Sequence, residues 1–449
     1  MSKEKYVIYI AILTASFGYI YDFDSAVISS SVEILADTFK INKQMIGILV
    51  TIVLIGGLVG GLCAGYFSEK IGRKRTIIYS LLVFLMGGFI TIFSPNIEMF
   101  MFGRLIMGLG LGSVFLVGTI YVIEISPIET RGRNGTINQL FMPLGLVIGF
   151  WLAYIVTNYL EDKFILNNSW RILFSLEVFQ GIIIFMLFLK IPESPRWLYL
   201  KGFEGEAKES LKKVLSEDRV EKVLQDLSTA KTNTEITDKI NLKKINKGTI
   251  ILLLLIIISA IFRQFSGINP VIYYAPEIFQ EVSLINTSGY SQSVTMGVYE
   301  ILGSVIVLFL IDKYGRKKLL FYGTLMMTIS LGYLTYALFY KERGIYEIYS
   351  VYIYNLTYTV AFGTVLTVYI SEITPNSIRS FGVTLFNIIN YIFDILLTQI
   401  YPVMNLKSES FPFFIFFMVS MISLFFIPFI PETKGKTLEE IGEKWKSIK

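Results

Sequence analysis

Seven ionisable side chains stand inside long apolar stretches of this chain: Asp22, Asp24, Arg104, Glu177, Arg263, Glu300 and Asp394. A charge held in lipid is costly, and it is retained where it pairs, relays a proton or meets a polar solute. A carboxylate near a guanidinium suits proton handling: burial favours the neutral acid and the cation favours the carboxylate, so a small movement loads or releases a proton. A static structural ion pair is the alternative use of the same residues. Asp22 and Asp24 lie about 200° apart on a helix, so the two cannot face one cavity. A helix break or an interfacial position would explain Asp22.

Other chemistries are excluded. The chain has no histidine, which removes Ser-His-Asp triads, His-ligated metal and imidazole proton shuttles. Its one cysteine, Cys63, permits neither an internal disulfide nor a cysteine metal cluster. No enzyme, metal or cofactor is expected, because no nucleophile–base pair can be assembled. Net charge is +5, but the basic residues fall in short bursts between apolar runs, which implies a lipid bilayer rather than nucleic acid as partner.

The elements that must position these charges are membrane spans. Of 449 residues 53% are apolar and only 17% charged, too oily for a soluble chain of this length. About twelve stretches are long enough to cross a bilayer as helices. They fall near 6–31, 44–67, 76–94, 97–122, 135–158, 170–190, 249–278, 290–311, 319–339, 346–370, 380–403 and 411–430. The first segment carries no small-residue cleavage site and is expected to remain a span, not a signal peptide. With the N-terminus inside, 31 of the 40 lysines and arginines fall in inner segments and 7 in outer loops. Both termini are therefore expected in the cytoplasm, in a multi-pass plasma-membrane protein. Asn167 and Asn286 begin N-x-S triplets in outer loops.

The expected fold is an all-α membrane protein with two six-helix bundles. Residues 1–190 form the first bundle, 191–248 a polar linker, 249–430 the second bundle and 431–449 a tail. Within the linker, Leu211, Val214 and Leu215, then Val220, Val223, Leu224 and Leu227, recur at helical spacing. They predict short amphipathic cytoplasmic helices, with 228–247 either helical or a partly ordered connection.

The halves repeat. Glu69-Lys70-Ile71-Gly72-Arg73-Lys74 returns as Asp312-Lys313-Tyr314-Gly315-Arg316-Lys317. Tyr121, Glu124, Pro127 and Arg131 return as Tyr369, Glu372, Pro375 and Arg379, and Pro192-Glu193-Ser194-Pro195 is answered by Pro431-Glu432-Thr433-Lys434. Parallel repeats of this kind place a substrate site near the midplane between halves that rock. Glu69, Arg73, Glu124 and Arg131, with Asp312, Arg316, Glu372 and Arg379, sit at span ends and are expected to form a cytoplasmic gate of ion pairs that break when the inner side opens. Positive-inside anchoring would account for the basic members alone, but not for an acid at the same place in both loops. Gly57, Gly61 and Gly65, and Gly108 and Gly112, follow the small-xxx-small pattern for close helix approach.

These motifs, together with Gly103-Arg104-x3-Gly108-x-Gly110 and Gln264-Phe265-Ser266-Gly267-Ile268-Asn269 ahead of Tyr273-Tyr274, resemble the sugar porter branch of the major facilitator superfamily over nearly the whole chain. The resemblance implies a secondary transporter that imports a monosaccharide with protons, as a monomer, by alternating access. It implies Asp24 as the proton-coupling acid, with Arg104 beside it. Gln139, Gln264, Asn269 and Asn390 match sugar-contacting positions, and amides suit hydroxyls because they donate and accept. Tyr273 and Tyr274 match outer-gate aromatics, where Gly267 and Pro270 allow a bend.

The second half departs from the family pattern. Arg263 stands where a glutamine is usual, and Glu300 and Asp394 stand where asparagines are usual. Thr367 and Tyr391 replace tryptophans, and Leu146 replaces a glutamine. These substitutions leave Arg263, Glu300, Tyr391 and Asp394 in the substrate-binding set but point also to a charged or amino-bearing solute. An uncoupled sugar carrier and a porter-like nutrient sensor are the other readings; a sensor would be expected to carry a long signalling tail. An ion pair between Arg263 and Glu300 is expected, since either charge alone is expensive in a span.

Overall fold

The computed structural model describes residues 3–127, 130–159, 168–234, 247–282, 288–375, 378–435, 440 and 445. Every regular element among them is helical. Twelve helices are long and apolar enough to cross a membrane: Lys3–Phe39, Lys43–Ile71, Arg73–Ile92, Ile97–Ile125, Leu140–Asn158, Ser169–Phe188, Lys247–Tyr273, Gly289–Tyr314, Arg316–Tyr340, Ile345–Ile373, Phe381–Asn405 and Ser410–Phe429. They are numbered here as spans one to twelve. The first runs unbroken through Asp22, so of the two explanations offered for that residue the helix break is absent.

The chain divides into two compact units. The first comprises residues 1–27, 52–149 and 159–238; the second comprises 28–51, 150–158 and 239–449.

In the first unit, span four starts at Asn96, whose side chain accepts from Met99 N and so satisfies an orphan donor of the first turn. The small residues of spans two and four bring backbones together: on span four at Gly108 and Gly112 as expected, a Cβ on Gly112 striking the Gly57 carbonyl, and on span two at Gly56 and Gly60, one residue before Gly57 and Gly61. A Cβ on Gly108 would strike the Val53 carbonyl, and one on Gly60 would strike that of Leu109. By contrast, Gly65 has open space around it and Gly61 meets only the Gly112 oxygen at 3.6 Å. The i, i+4 repeat fixed the stripe, but only packing decides which glycine of each adjacent pair faces the neighbour.

The polar segment after span six folds into three helices, Pro195–Leu200, Glu204–Val214 and Glu217–Thr234. Pro195 occupies the first turn, where its missing N–H costs nothing, and Ser194 caps it by accepting from Trp197 N at 3.2 Å. Trp197, Leu198, Tyr199 and Ala207 form their apolar core, with Leu224 against it. Trp197 Nε1 donates to the Glu69 carbonyl at 2.9 Å, which fastens this layer to the end of span two. Residues 228–234 continue the last helix; 235–246 lie outside the described residues.

In the second unit, span seven breaks as its glycine and proline predict. Gly267 adopts φ 89° in the left-handed region, and a short helix Ile268–Tyr273 restarts after it. Span ten contains a feature that its sequence does not announce. Residues Thr359–Val365 form a π-helical turn between Ile345–Tyr358 and Leu366–Ile373. Such turns re-aim the side chains around them and occur often at functional sites.

Candidate functional sites in the two units

The first unit buries a bidentate ion pair. Arg104 of span four, 0% exposed, donates through Nη2 to Asp24 Oδ2 at 2.9 Å and through Nη1 to Oδ1. Asp24 on span one is 3% exposed. The Arg104 guanidinium lies over the Phe174 ring, 5.2 Å from its centroid, so an aromatic face covers the cation. Glu177 of span six is fully buried, and Asp24 and Arg104 are the charged groups it faces. Its two carboxyl oxygens have no hydrogen-bond partner. Two acids thus stand beside one guanidinium in a dry interior, and Asp24 is the one that closes a pair with it. Asp24 and Arg104 were legible in the sequence; Glu177 was visible as an intramembrane acid but had no assigned neighbour.

The second unit gathers a polar network from spans seven, eight, ten and eleven. Gln264 Nε2 donates to the Asn390 carbonyl at 2.9 Å, and Asn269 Nδ2 donates to Gln264 Oε1 at 3.2 Å. Asn390 Nδ2 donates back to the Phe386 carbonyl at 2.7 Å, one turn earlier, leaving Oδ1 without a partner. Asp394, one turn beyond Asn390, accepts from Thr398 Oγ1 at 3.1 Å and also faces Asn269 and Arg263. Tyr358, at the end of span ten's first segment, faces Arg263, Asp394 and Glu300. Arg263, Gln264, Asn269, Glu300, Asn390 and Asp394 therefore belong to one neighbourhood. Tyr391 follows Asn390 on the same span and is half-buried.

The expected contact between Arg263 and Glu300 is not made: no ion pair joins them among the described residues. Glu300 faces the Asn355 side chain, while the guanidinium turns toward Tyr358 and Asp394 and lies 5.9 Å from the Phe386 centroid. Two carboxylates stand near one cation here, neither closes an ion pair with it, and the sequence offered no means to see that the guanidinium would turn to the Tyr358 hydroxyl.

Tyr273 and Tyr274 are both buried. Tyr274 stacks on Tyr401 with centroids 5.0 Å apart and donates to the Thr398 carbonyl at 3.4 Å. The side chains of Gln139, Arg131 and Arg379 lie outside the described residues, as do Asn167 and Asn286.

The repeated charged motifs build the same device in each unit. Arg73 forms a two-pronged pair with Glu124, Nε to Oε2 and Nη2 to Oε1, both at 2.9 Å. Ser194 Oγ donates to Glu124 Oε2 at 2.6 Å. Glu193 accepts from the backbone N–H of Arg73 and Lys74, both at 2.9 Å, and so caps span three with a carboxylate. Gly72 precedes that cap at φ 103°, and a Cβ there would run into the Glu193 carboxylate.

In the second unit Arg316 Nη2 meets Glu372 Oε1 at 2.8 Å, and Thr433 Oγ1 donates to Glu372 Oε2 at 2.7 Å. Glu432 caps span nine, accepting from Arg316 N and Lys317 N at 3.1 Å each. Burial pushes the Glu432 carboxyl up, but N–H groups of Lys434, Arg316, Lys317 and Thr433 together outweigh it and hold it below the usual range.

The expected ion pairs between span ends form within each unit, Arg73 with Glu124 and Arg316 with Glu372. Two acids of the set play lesser parts. Glu69 contributes a backbone carbonyl to Trp197 instead of a charge, and Asp312 is largely exposed, reaching Arg316 at 3.3 Å one turn away. Glu193 and Glu432 cap spans three and nine, and Ser194 and Thr433 donate to Glu124 and Glu372; all four were visible as repeated motifs but had no role assigned.

Comparison with known proteins gives a consistent likeness. The sequence profile of the family described as "Sugar (and other) transporter" matches residues 8–445. The D-xylose-proton symporter of Escherichia coli (strain K12) is 28% identical, over 99% of this chain and 96% of its own length. The glucose transporter GlcP of Staphylococcus epidermidis is 30% identical, over 98% of this chain and 97% of its own. The solved inward-open structure of the xylose transporter XylE from E. coli superposes with a TM-score of 0.85 at 26% identity, covering 98% of this chain and all of that one.

Proposed function

For a chain that belongs to the sugar (and other) transporter family, and is thus a multi-pass membrane carrier and not an enzyme, we propose import of a monosaccharide coupled to protons through alternating access. The supporting observation is the dry Asp24–Arg104 pair with Glu177 facing it. A permanently closed pair would need no third buried acid, whereas a proton-loading site gains from one: separating Asp24 from Arg104 favours protonation, and re-forming the pair expels the proton. In this reading the hydroxyls of the sugar are taken by Gln264, Asn269 and Asn390, together with Gln139. Tyr273 and Tyr274 close the outer side, and the two arginine–glutamate latches stiffen the inner ends of the bundles. The relatives named above, a xylose-proton symporter among them, support the sugar and the coupling. The positive-inside distribution supports a plasma-membrane carrier with both termini in the cytoplasm.

The test is uptake into proteoliposomes across a panel of pentoses and hexoses, with and without an inward proton gradient. Wild type should accumulate at least one of them only with the gradient. Asp24→Asn should lose accumulation yet retain exchange of labelled for unlabelled sugar, because the amide mimics the protonated acid. Accumulation by Asp24→Asn equal to wild type would refute the coupling role.

A further inference from the structure

Within the carrier reading above, which it rests on, we propose that the polar network of the second unit selects a substrate carrying a protonated amine beside its hydroxyls, with Glu300 as the partner of the ammonium group. Three acceptors or donors in this network that matter for recognition are left open. Glu300 Oε2 is buried without a hydrogen-bond partner. Asn355 is fully buried, accepts from Thr359 Oγ1 at 3.5 Å, and leaves Nδ2 without a partner. Asn390, also buried, leaves Oδ1 open.

The charges decide which ligand these atoms fit. Arg263, Asp394 and Glu300 all face Tyr358, so one cation is set among two acids. Asp394 accepts from Thr398 and faces Asn269 and Arg263. Glu300 faces the Asn355 amide and Tyr358, with no cation paired to it among the described residues. With a neutral sugar the second acid would need a proton, because a surplus negative charge in a low-dielectric interior is expensive. An ammonium group supplies the missing charge and donates directly to a carboxylate, the stronger class of hydrogen bond. A sugar hydroxyl can then use Asn390 Oδ1 as acceptor, while the Asn355 amide stays beside Glu300.

The local fold is arranged to present this pair. Gly303, one turn after Glu300 on span eight, lets span ten approach closely. A Cβ there would sit 2.9 Å from the Leu356 carbonyl and 3.1 Å from Thr359 Cβ. The π-helical turn begins at Thr359, immediately after Tyr358. It interrupts the ordinary ladder where Asn355, Tyr358 and Thr359 cluster, the kind of distortion that turns side chains into a site.

The experiment is competition against the best-transported sugar of the panel in proteoliposomes, comparing glucose with its 2-amino counterpart, glucosamine, at a pH where the amine is charged. Wild type should be inhibited by glucosamine at a concentration about tenfold lower than by glucose, the scale of one charged hydrogen bond. Glu300→Gln should shrink that ratio about tenfold, and Glu300→Asp, which keeps the charge, should retain most of it. Detergent size-exclusion profiles matched to wild type exclude misfolding as the cause. Glucose competing as well as glucosamine in wild type, or an unchanged ratio in Glu300→Gln, overturns the inference. So does a proton-to-glucose ratio that falls in Glu300→Gln with no change in amine preference, since Glu300 would then hold a proton in place of the amine. Gradient-driven uptake of neutral sugars with no amine preference sinks this inference alone. Failure to transport any sugar, amino or neutral, sinks the carrier reading beneath it.

Discussion

Double-mutant cycles on the two repeated latches measure how far the duplication is energetic as well as geometric. In the first unit Arg73 and Glu124 are 12% and 9% exposed and share two bonds at 2.9 Å. In the second, Arg316 and Glu372 are 14% and 27% exposed and share one bond at 2.8 Å. Breaking a buried pair by removing one partner costs about 3–5 kcal/mol, because the remaining charge is left in low dielectric. Exposed pairs contribute about 0.2–1 kcal/mol. The first latch lies near the buried limit and has bidentate geometry, so its coupling energy should be about 3 kcal/mol. The second loses one bond and gains water at the glutamate, so about 1 kcal/mol is expected. The cycle uses Arg73→Gln, Glu124→Gln and the double change, with the equivalent set at Arg316 and Glu372, and takes stability from reversible unfolding in mixed micelles. Equal couplings, or a larger one for Arg316–Glu372, would refute the assignment of latch strength to burial and bidentate geometry.

Two further outcomes follow from packing and titration. Burial pushes the Glu281 carboxyl up to about 7, with Asn405 lowering it and the nearby Glu277 and Glu409 raising it. A group whose folded pKa exceeds its unfolded one stabilises below the unfolded value and loses that contribution as pH rises through the folded value. Thermal stability should therefore fall between pH 4.5 and 8 by on the order of 3 kcal/mol from this group, and Glu281→Gln should flatten that slope; a parallel slope in the variant would rule Glu281 out as its source. Gly108→Ala drives a Cβ onto the Val53 carbonyl and should cost about 1–3 kcal/mol in the same unfolding assay, while Gly65→Ala, with open space around it, should be neutral; equal losses would place the close approach elsewhere.

What the sequence made legible is what periodicity and composition control. Apolar runs located all twelve spans, Gly267 and Pro270 the break in span seven, and the spacing of Leu211, Val214 and Val220 the helices of the polar segment. The limits were just as physical. A charge count can identify Arg263, Glu300 and Asp394 as costly, but choosing which carboxylate takes the guanidinium requires the helix rotations that packing sets. The same holds for span two, where Gly56 and Gly60 make the close approach one residue before the expected glycines, while Gly108 and Gly112 of span four face as expected. The π-helical turn at Thr359–Val365 has no glycine or proline signature of its own beyond Gly363, and the role of Glu193 and Glu432 as caps appears only when loops return to span ends distant in sequence.

The two units keep the same latch and differ in their interiors, and that contrast bears on how the proposed coupling is divided. Selection on the latch is selection on backbone geometry: Glu193 and Glu432 each hold two N–H groups at a span start, after a glycine in positive φ, so each motif can be duplicated intact. Even there the copy is incomplete. Tyr121 donates to the Pro192 carbonyl at 2.7 Å, whereas the hydroxyl of its counterpart Tyr369 is buried without a partner. The interiors diverge further. Asp24 and Arg104 satisfy each other through two bonds, so this site changes state only by parting the pair, which suits a ligand as small as a proton. The network around Arg263, Asn355 and Asn390 leaves donors and acceptors open, which suits a ligand with several polar atoms. In the proposed carrier the proton is assigned to the first unit and most of the solute's polar partners to the second, and a substitution at Asp24 should alter accumulation while one at Asn390 or Glu300 alters recognition.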